Sequence, residues 1–423
     1  MARAGPRFLI AAPSSGSGKT TVTLGILRAL TRQGQSVRAA KSGPDYIDPR
    51  FHEAACGQPC MNLDAWAMTP ERVINLAGDG PLIVEGAMGL FDGAPPAGKG
   101  ACADLARVLT LPVVLVVDAS RMAQSIAPIV AGFSAHDPDV NIAGVILNKV
   151  GSDRHEAMLR TAMTQTGIPV LGAIHRAPHL HTPSRHLGLV QAQERPDLDA
   201  FLETAADMVE ASLDLGALGA LTAPVAQSST HRLQPPAQKI SIASDAAYAF
   251  AYPHLLNDWR AQGAQVTPFS PLADDPVPPA DLVFLPGGYP ELFAGRIATN
   301  TTFQNSLRNA AQVTDIYGEC GGYMTLGNSL TDADGVPHKM AGLLDLHTSF
   351  ETRKLHLGYR DVKTNHGRLA GHWAAHEFHY ATTIHARGDT LFQAQDAAGL
   401  TLPDMGLVCG RVSGSFAHLI DKR

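Results

Sequence analysis

The segment from Phe8 to Arg32 leaves few folds open to this chain. An apolar run, Phe8-Leu9-Ile10-Ala11-Ala12, leads into Pro13-Ser14-Ser15-Gly16-Ser17-Gly18-Lys19-Thr20, and apolar positions then recur at helical spacing as far as Arg32. Strand, small-residue loop, Lys-Thr and helix is the order of a P-loop. Small residues at Gly16, Ser17 and Gly18 let backbone N–H groups close around phosphate oxygens, and the helix start adds the positive end of its dipole. In that layout Lys19 reaches the β- and γ-phosphates and the Thr20 hydroxyl ligates Mg²⁺. One residue departs from the usual pattern, because Pro13 stands where a glycine is common. A Ser/Gly turn that merely caps a helix is the plainer reading, but it leaves the Lys-Thr pair between strand and helix unexplained.

The rest of the first half fits the α/β architecture this implies. Runs at Arg7 to Ala12, Ser36 to Ala40, Pro81 to Glu85, Pro112 to Asp118, Ile142 to Asn148 and Pro169 to Ile174 alternate with helical stretches. Several are apolar at consecutive positions, as strands buried on both faces of a parallel sheet are. A length of 423 residues suits two domains. Leu213 to Gln238 is rich in Ala, Gly, Ser and Pro and poor in charge, which is linker composition. The expected division is therefore a domain over 1–212, a linker over 213–238 and a second domain over 239–423. In the latter, Lys239 to Ser244, Gln265 to Phe269, Leu282 to Pro286 and Val313 to Tyr317 read as strands, and Lys354 to Arg387 alternates as antiparallel strands do.

A metal beside a triphosphate needs further carboxylates at strand ends. Glu85 closes Leu82-Ile83-Val84 and opens the glycine-rich Gly86-Ala87-Met88-Gly89-Leu90-Phe91-Asp92-Gly93. Asp118 closes Val113 to Val117 and is the rival, with a strand-end cap as its bland reading. The glycines after Glu85 allow close backbone approach and favour Glu85 with Asp92. Lys41-Ser42-Gly43-Pro44-Asp45-Tyr46-Ile47-Asp48-Pro49 follows the second strand, on the edge of the sheet where ligands bind. On residue types alone it is equally a Pro-flanked turn.

In the second half, Asp315-Ile316-Tyr317 runs into Gly318-Glu319-Cys320-Gly321-Gly322 and a helix. Glycines around a nucleophile permit the strained strand-to-helix elbow that projects it, and a helix start lowers a thiol pKa. Leu285-Pro286-Gly287-Gly288 ends another strand, so the N–H groups of Gly288 and Gly321 are candidates for an oxyanion hole. A lone cysteine is usually structural, but this context favours a nucleophile. Its base is expected at His418, a late histidine after Ser413-Gly414-Ser415. His376-Glu377-Phe378-His379 invites a metal reading, yet on an alternating strand His376 and His379 point to opposite faces and chelate poorly.

Together these stretches resemble the cobyrinate and hydrogenobyrinate a,c-diamide synthases of cobalamin biosynthesis. The resemblance spans nearly the whole chain and rests on Ala12 to Thr20, Lys41 to Pro49, Val84 to Gly93, Leu285 to Glu291 and Gly318 to Gly327, with Lys-Ser-Gly-Pro-Asp-Tyr the most specific. Pro13 is ordinary in that family. The resemblance implies a dethiobiotin-synthetase-like domain followed by a class I glutamine amidotransferase-like domain. It implies Mg²⁺ held by Thr20, Asp45, Glu85 and Asp92, with Lys41 near the phosphates and Asn148 against adenine. Tyr46, Ile47 and Asp48 would face the corrinoid carboxylate, with Cys320 as nucleophile and His418 as its base. ATP, glutamine and a tetrapyrrole polycarboxylate are the implied partners, and a homodimer stays open. Ordinary class I amidotransferases carry His-x-Glu, whereas here the third residue is Ile420. The glutaminase half is therefore expected to be a Cys–His dyad, slow or triggered only when the synthetase site is loaded.

Other classes fit less well. A formal charge of −6 offers no basic field for nucleic acid or an anionic membrane. No apolar run approaches the ~20 residues of a membrane span, and the N-terminus lacks a signal-peptide core, so the cytoplasm is the expected compartment. The five cysteines are scattered and odd in number, which does not read as a disulfide framework. An amidase for another tetrapyrrole such as nickel sirohydrochlorin is the nearer rival. A P-loop switch ATPase of the partitioning type is the other, but it needs neither the Cys320 elbow nor a second domain.

Overall fold

The computed structural model describes residues 5–177, 180, 184–185, 188–189, 191–225 and 231–423. It divides into two compact units, Met1–His231 and Arg232–Arg423. The elements of the first that position its site are β1 (Arg7–Ala11), α1 (Lys19–Arg32), β2 (Arg38–Ser42), α2 (Asp48–Cys56), β3 (Met61–Leu63), β4 (Leu82–Glu85), β5 (Val113–Asp118), β6 (Ile142–Val150), β7 (Val170–His175) and α3 (Leu198–Ser212). The seven strands form one sheet in the order β3-β2-β4-β1-β5-β6-β7. Every neighbouring pair is parallel. The α/β fold class expected from the apolar runs is the one observed. The edge strand β3 is three residues long and carried too little pattern to be read in advance.

Register gathers the functional loops. Ile10 and Lys41 are both Cα partners of Glu85, so β1, β2 and β4 end side by side and their loops open on one edge. Behind that edge α1 packs on α3 through a close approach at Gly25. A Cβ there would stand 2.5 Å from the Ala205 carbonyl oxygen and 2.6 Å from Val209 Cγ2. The start of the expected linker belongs to this unit. Leu213 and Leu218 are buried, Leu215–Gly219 forms a short helix, and Arg7 N–H donates to Leu221 O at 2.8 Å. Two well-spaced leucines outweigh the loop-like composition around them.

In the second unit the relevant elements are β8 (Lys239–Ala243), β9 (Gln265–Phe269), β10 (Leu282–Leu285), β11 (Asp315–Glu319), α4 (Gly321–Leu326), β12 (His356–Thr364), β13 (Gly371–His379), β14 (Phe392–Asp396), β15 (Thr401–Met405), β16 (Leu407–Cys409), β17 (Val412–Ser415) and β18 (His418–Lys422). A six-stranded sheet runs β9-β8-β10-β11-β17-β16, and a five-stranded sheet runs β15-β14-β12-β13-β18. The first is parallel except for β16 against β17. The second is antiparallel throughout. Only Phe416 and Ala417 separate β17 from β18, so the chain leaves the first sheet beside β11 and starts the second at once with His418. The core beneath the elbow includes Val283, Leu285, Ile316, Tyr323, Met324 and Leu326. Strand β17, Val-Ser-Gly-Ser, is fully buried although it reads as a turn. Its small residues are required, since a Cβ on Gly414 would meet Tyr323 Cδ2 at 2.6 Å.

Gly25→Ala tests the helix contact. Helix propensity favours alanine by ~1 kcal/mol, but a Cβ facing backbone oxygen forces the helices apart, which costs about 1–3 kcal/mol. A lowered denaturation midpoint is expected. Gly132→Ala, in the exposed part of helix Ile126–His136 with nothing within 4 Å of the new carbon, should raise it.

Candidate active site

Two constellations arise, one in each unit. In the first, Gly18 adopts φ 91° at the head of α1 and has no side chain with which to cap it. The first-turn N–H groups of α1 are thereby presented as an anion site. Lys19 is buried and its Nζ donates to Met88 O at 2.5 Å, with Ser14 O at 3.4 Å. Burial lowers its pKa, and the Glu85 charge opposes that. Met88 sits in the left-handed region at φ 56° with its side chain exposed, so its carbonyl holds the lysine. Asn148 Nδ2 donates to Ser17 O at 2.8 Å and lies where a Gly18 side chain would be, clamping the loop.

Glu85 is the hub of this edge and is 1% exposed. Its Oε1 accepts from Thr20 Oγ1 at 2.7 Å and from Lys41 Nζ at 2.9 Å. Its Oε2 lies 2.5 Å from His52 Nε2. Burial opposes the charge, but Lys41 and His52 outweigh it and hold the carboxyl well below its usual range. Lys41 also donates to Asp48 Oδ2 at 2.6 Å. Its ammonium is buried, and Asp48 and Glu85 more than offset the desolvation, so its pKa is raised. Burial and the like charge of Asp45 push Asp48 up to about 6.

The other residues expected here are placed as follows. Asp45 Oδ1 accepts from the N–H groups of Ile47 at 2.8 Å and Asp48 at 3.1 Å, holding the turn into α2. Asp92 Oδ2 accepts from Gly89 N–H at 3.0 Å, within the glycine-rich loop. Asp48 rather than Asp45 thus joins Lys41. Ile47 is buried, and Tyr46 is half-buried on the same turn. Asp118 pairs with Lys149 Nζ at 2.7 Å and accepts from Ser120 N–H at 2.9 Å. His52, on α2, carried no sequence signal, since only the fold turns it toward Glu85.

In the second unit Cys320 lies between β11 and α4 at φ 44°, ψ −99°, a strained backbone for a residue with a side chain. Close packing enforces it. A Cβ on Gly322 would strike Leu285 O, and one on Gly321 would stand 3.0 Å from Gly288 N. The amides of Gly288 and Gly321 are thereby neighbours, and the Gly321 N–H favours the Cys320 thiolate. Gly287 leaves room for the His418 ring, which a Cβ there would overlap. Cys320 and His418 are both buried. Burial pushes the thiol up and drives the imidazole down to about 3. The expected helix-dipole depression of the thiol pKa is therefore overridden, because desolvation outweighs the end of a six-residue helix.

A third cluster lies on the same unit. The ligand atoms of His356, Glu377 and His379 are all within 4.8 Å of one another. Antiparallel register sets His376 opposite His418 and His379 opposite His356, so it is His356 that joins Glu377 and His379. Glu377 accepts from His379 Nε2 at 2.9 Å and pairs with Arg360 at 2.7 Å. Arg360 already neutralises the carboxylate, so a cation would have to displace it. The cluster lines a cavity of about 710 Å³ with Lys354, Tyr323 and Phe416.

A phosphate-type loop in one α/β unit and a cysteine elbow with a buried histidine in the other define a class of nucleotide-dependent amidotransferases. Residues 8–190 match the CobQ/CobB/MinD/ParA nucleotide binding domain, and residues 239–423 match the CobB/CobQ-like glutamine amidotransferase domain. Among curated relatives, a hydrogenobyrinate a,c-diamide synthase of Brucella anthropi is 54% identical over 431 residues, with 98% of each chain covered. Another of that name from Rhodobacter capsulatus is 52% identical over 434 residues, covering 98% of this chain and 99% of the relative. One from Sinorhizobium is 51% identical over 427 residues, with 98% of each covered. The chain belongs to the hydrogenobyrinate a,c-diamide synthase family. No helix among the described residues is long and apolar enough to cross a membrane.

Because the Cys320 thiol is raised, its thiolate grows only as pH climbs. Alkylation of Cys320 by iodoacetamide, followed by mass spectrometry without other ligands, should accelerate continuously from about pH 7 to 10. A plateau reached by neutral pH would contradict the neutral resting pair.

Proposed function

We propose that this enzyme uses ATP and glutamine to amidate the a and c acetate side chains of hydrogenobyrinic or cobyrinic acid, as a step of cobalamin biosynthesis. The observation that carries the proposal is that relatives at 51–54% identity over nearly the full chain are named for that product. The names favour the cobalt-free macrocycle. The two sites supply the separate halves of the chemistry.

In the second unit Cys320 Sγ attacks the carboxamide carbon of glutamine while His418 takes the thiol proton. The Gly288 and Gly321 amides stabilise the oxyanion. His418 returns that proton to the departing nitrogen, ammonia leaves, and water hydrolyses the thioester to glutamate and the free thiol. In the first unit Gly16, Ser17 and Gly18 cradle the triphosphate, with Lys19 released from Met88 O to the phosphates. The substrate carboxylate attacks the γ-phosphorus and ADP departs. Ammonia then displaces phosphate from the acyl phosphate, giving the amide. Tyr46, Ile47 and Asp48 lie on the turn that leads from Lys41 and present the substrate carboxylate. Asn148 holds the loop and borders the base.

The Thr20 hydroxyl and the Glu85 carboxylate are hard oxygen donors at the start of α1, a set that fits Mg²⁺. Asp45 and Asp92 complete the proposed set from the flanking loops. When bound, the ion supplies charge neutralisation on the phosphates. Lys41 belongs to the same edge and stabilises charge on the transferring group. A cytoplasmic location goes with this reading, since the relatives are named as biosynthetic enzymes.

Cys320→Ala should abolish glutamine-dependent amidation and leave turnover with ammonium salts; loss of both would remove the ammonia relay. Glu85→Gln should lower turnover by roughly 10²-fold or more with either nitrogen source. Undiminished turnover would return the metal role to Asp118. Mass spectrometry of products from cobalt-free and cobalt-loaded substrates should show two amidations, with the cobalt-free acid preferred.

A further inference from the structure

The amidotransferase half has a buried histidine base but an apolar residue where such sites place its orienting acid. Ile420 follows His418 by two positions on β18, hence on the same face, and is wholly buried. A carboxyl reaches His418 from another direction. Glu319, the last residue of β11 and the one before the nucleophile, is 3% exposed. Its Oε2 stands 3.7 Å from His418 Nδ1, and its Oε1 accepts from Leu419 N–H at 3.1 Å. Both oxygens therefore face the strand that carries the base. We propose that Glu319 is the positioning acid of His418, doing from the nucleophile's own strand what His-x-Glu does from the histidine's.

The geometry sets the roles of the two ring nitrogens. With Nδ1–H held toward Glu319, Nε2 is the nitrogen left for the thiol. When glutamine is attacked, the proton leaves Cys320 Sγ for Nε2, and the imidazolium so formed carries its Nδ1–H toward a carboxylate. A separation of 3.7 Å is too long for a hydrogen bond at rest, and a contraction of under 1 Å closes it. Such contacts tighten as charge develops. The Leu419 bond keeps the carboxyl aimed, so little reorganisation is needed.

Surrounding charge supports the assignment. Tyr317 precedes Glu319 on β11 and Cys320 follows it at the elbow, His376, Glu377 and His379 stand beyond His418 on β13, and Glu291 acts on Cys320 from the loop over the elbow. Burial raises the Glu319 carboxyl to about 8, with the Leu419 and Tyr317 contacts opposing. A raised acid ionises as pH rises, so the competent carboxylate is scarce at neutrality and accumulates above it. Glutaminase activity should accordingly climb between about pH 7 and 9.

This assignment rests on the amidotransferase reading and is tested beside it. Glu319→Gln keeps the size and the acceptor for Leu419 but removes the charge. The expected result is a fall in glutaminase kcat of roughly 10²-fold with KM for glutamine nearly unchanged, a pH profile that keeps only the rise of the Cys320 thiol, and retained ammonium-dependent amidation. Glu319→Asp should recover part of kcat and the carboxylate's share of the rise. Wild-type kcat and pH profile in Glu319→Gln would overturn the proposal, as would equal loss of ammonium-dependent turnover, which assigns the residue to the fold. If the variant fails to accumulate, ¹⁵N-histidine spectra of the wild type decide, with His418 assigned by its absence in His418→Gln. An Nδ1–H tautomer supports the assignment and an Nε2–H tautomer overturns it. No glutamine hydrolysis by the wild type with ATP and the tetrapyrrole acid both present would sink the amidotransferase reading and this one with it. Normal hydrolysis with an indifferent Glu319→Gln would sink this one alone.

Discussion

Glu85 ends a strand at the middle of a parallel sheet, almost without contact with water, and a carboxylate there keeps its charge only if partners replace the lost hydration. Those partners come from three places. Thr20 arrives from the helix after β1, Lys41 from β2, and His52 from α2. Each is adjacent only because Ile10 and Lys41 both align with Glu85. A slip of one residue in β2 would turn Lys41 to the opposite face and strand the carboxylate. The glycine-rich loop before α1 and the turn that carries Asp45 to Asp48 are thus tied to one buried charge.

The second unit meets the same constraint with the opposite outcome. Glu319 is nearly as deeply buried as Glu85, but among the described residues no lysine or arginine pairs with it, so burial raises its carboxyl where Lys41 and His52 lower that of Glu85. The same desolvation raises the Cys320 thiol and drives His418 down. A thiol, an imidazole and a carboxyl therefore rest together without net charge, and ionisation is left to the reaction itself. Pairs of groups pushed apart by their surroundings mark division of labour between sites, here a permanently charged edge in the nucleotide-binding unit and an initially neutral cluster in the amidotransferase unit.

Much of this was legible in the residue order. The P-loop strand and helix, the buried parallel runs and the glycine-flanked cysteine are local patterns, and local patterns survive without a fold. What escaped depends on register. His52 is an unremarkable histidine on a short helix until α2 is laid beside β4. His356 joins Glu377 and His379 because of an antiparallel pairing 23 positions along the chain, whereas proximity in sequence pointed to His376. Val412–Ser415 looked like a turn because its glycine and serines are needed for close packing, not for bending. The segment after Leu213 looked like a linker because composition averages over the two leucines that anchor it.

The elbow gives a physical reason why an acid on β11 can serve the base. Holding a non-glycine residue at φ 44° costs on the order of 1–3 kcal/mol, and such a conformation persists only where the surroundings over-determine it. Here Leu285 O excludes any side chain at Gly322, Gly288 crowds Gly321, and Cys320 N–H is bonded to Ser415 O at 2.8 Å. The residue before such an elbow is fixed as firmly as the elbow. Glu319 therefore points where β11 and β17 direct it, toward the first residues of β18, and its bond to Leu419 N–H closes the connection. An acid two residues after the histidine would be positioned by the histidine's own strand and could follow that strand away from the thiol. One placed immediately before the cysteine keeps base and nucleophile in a single frame.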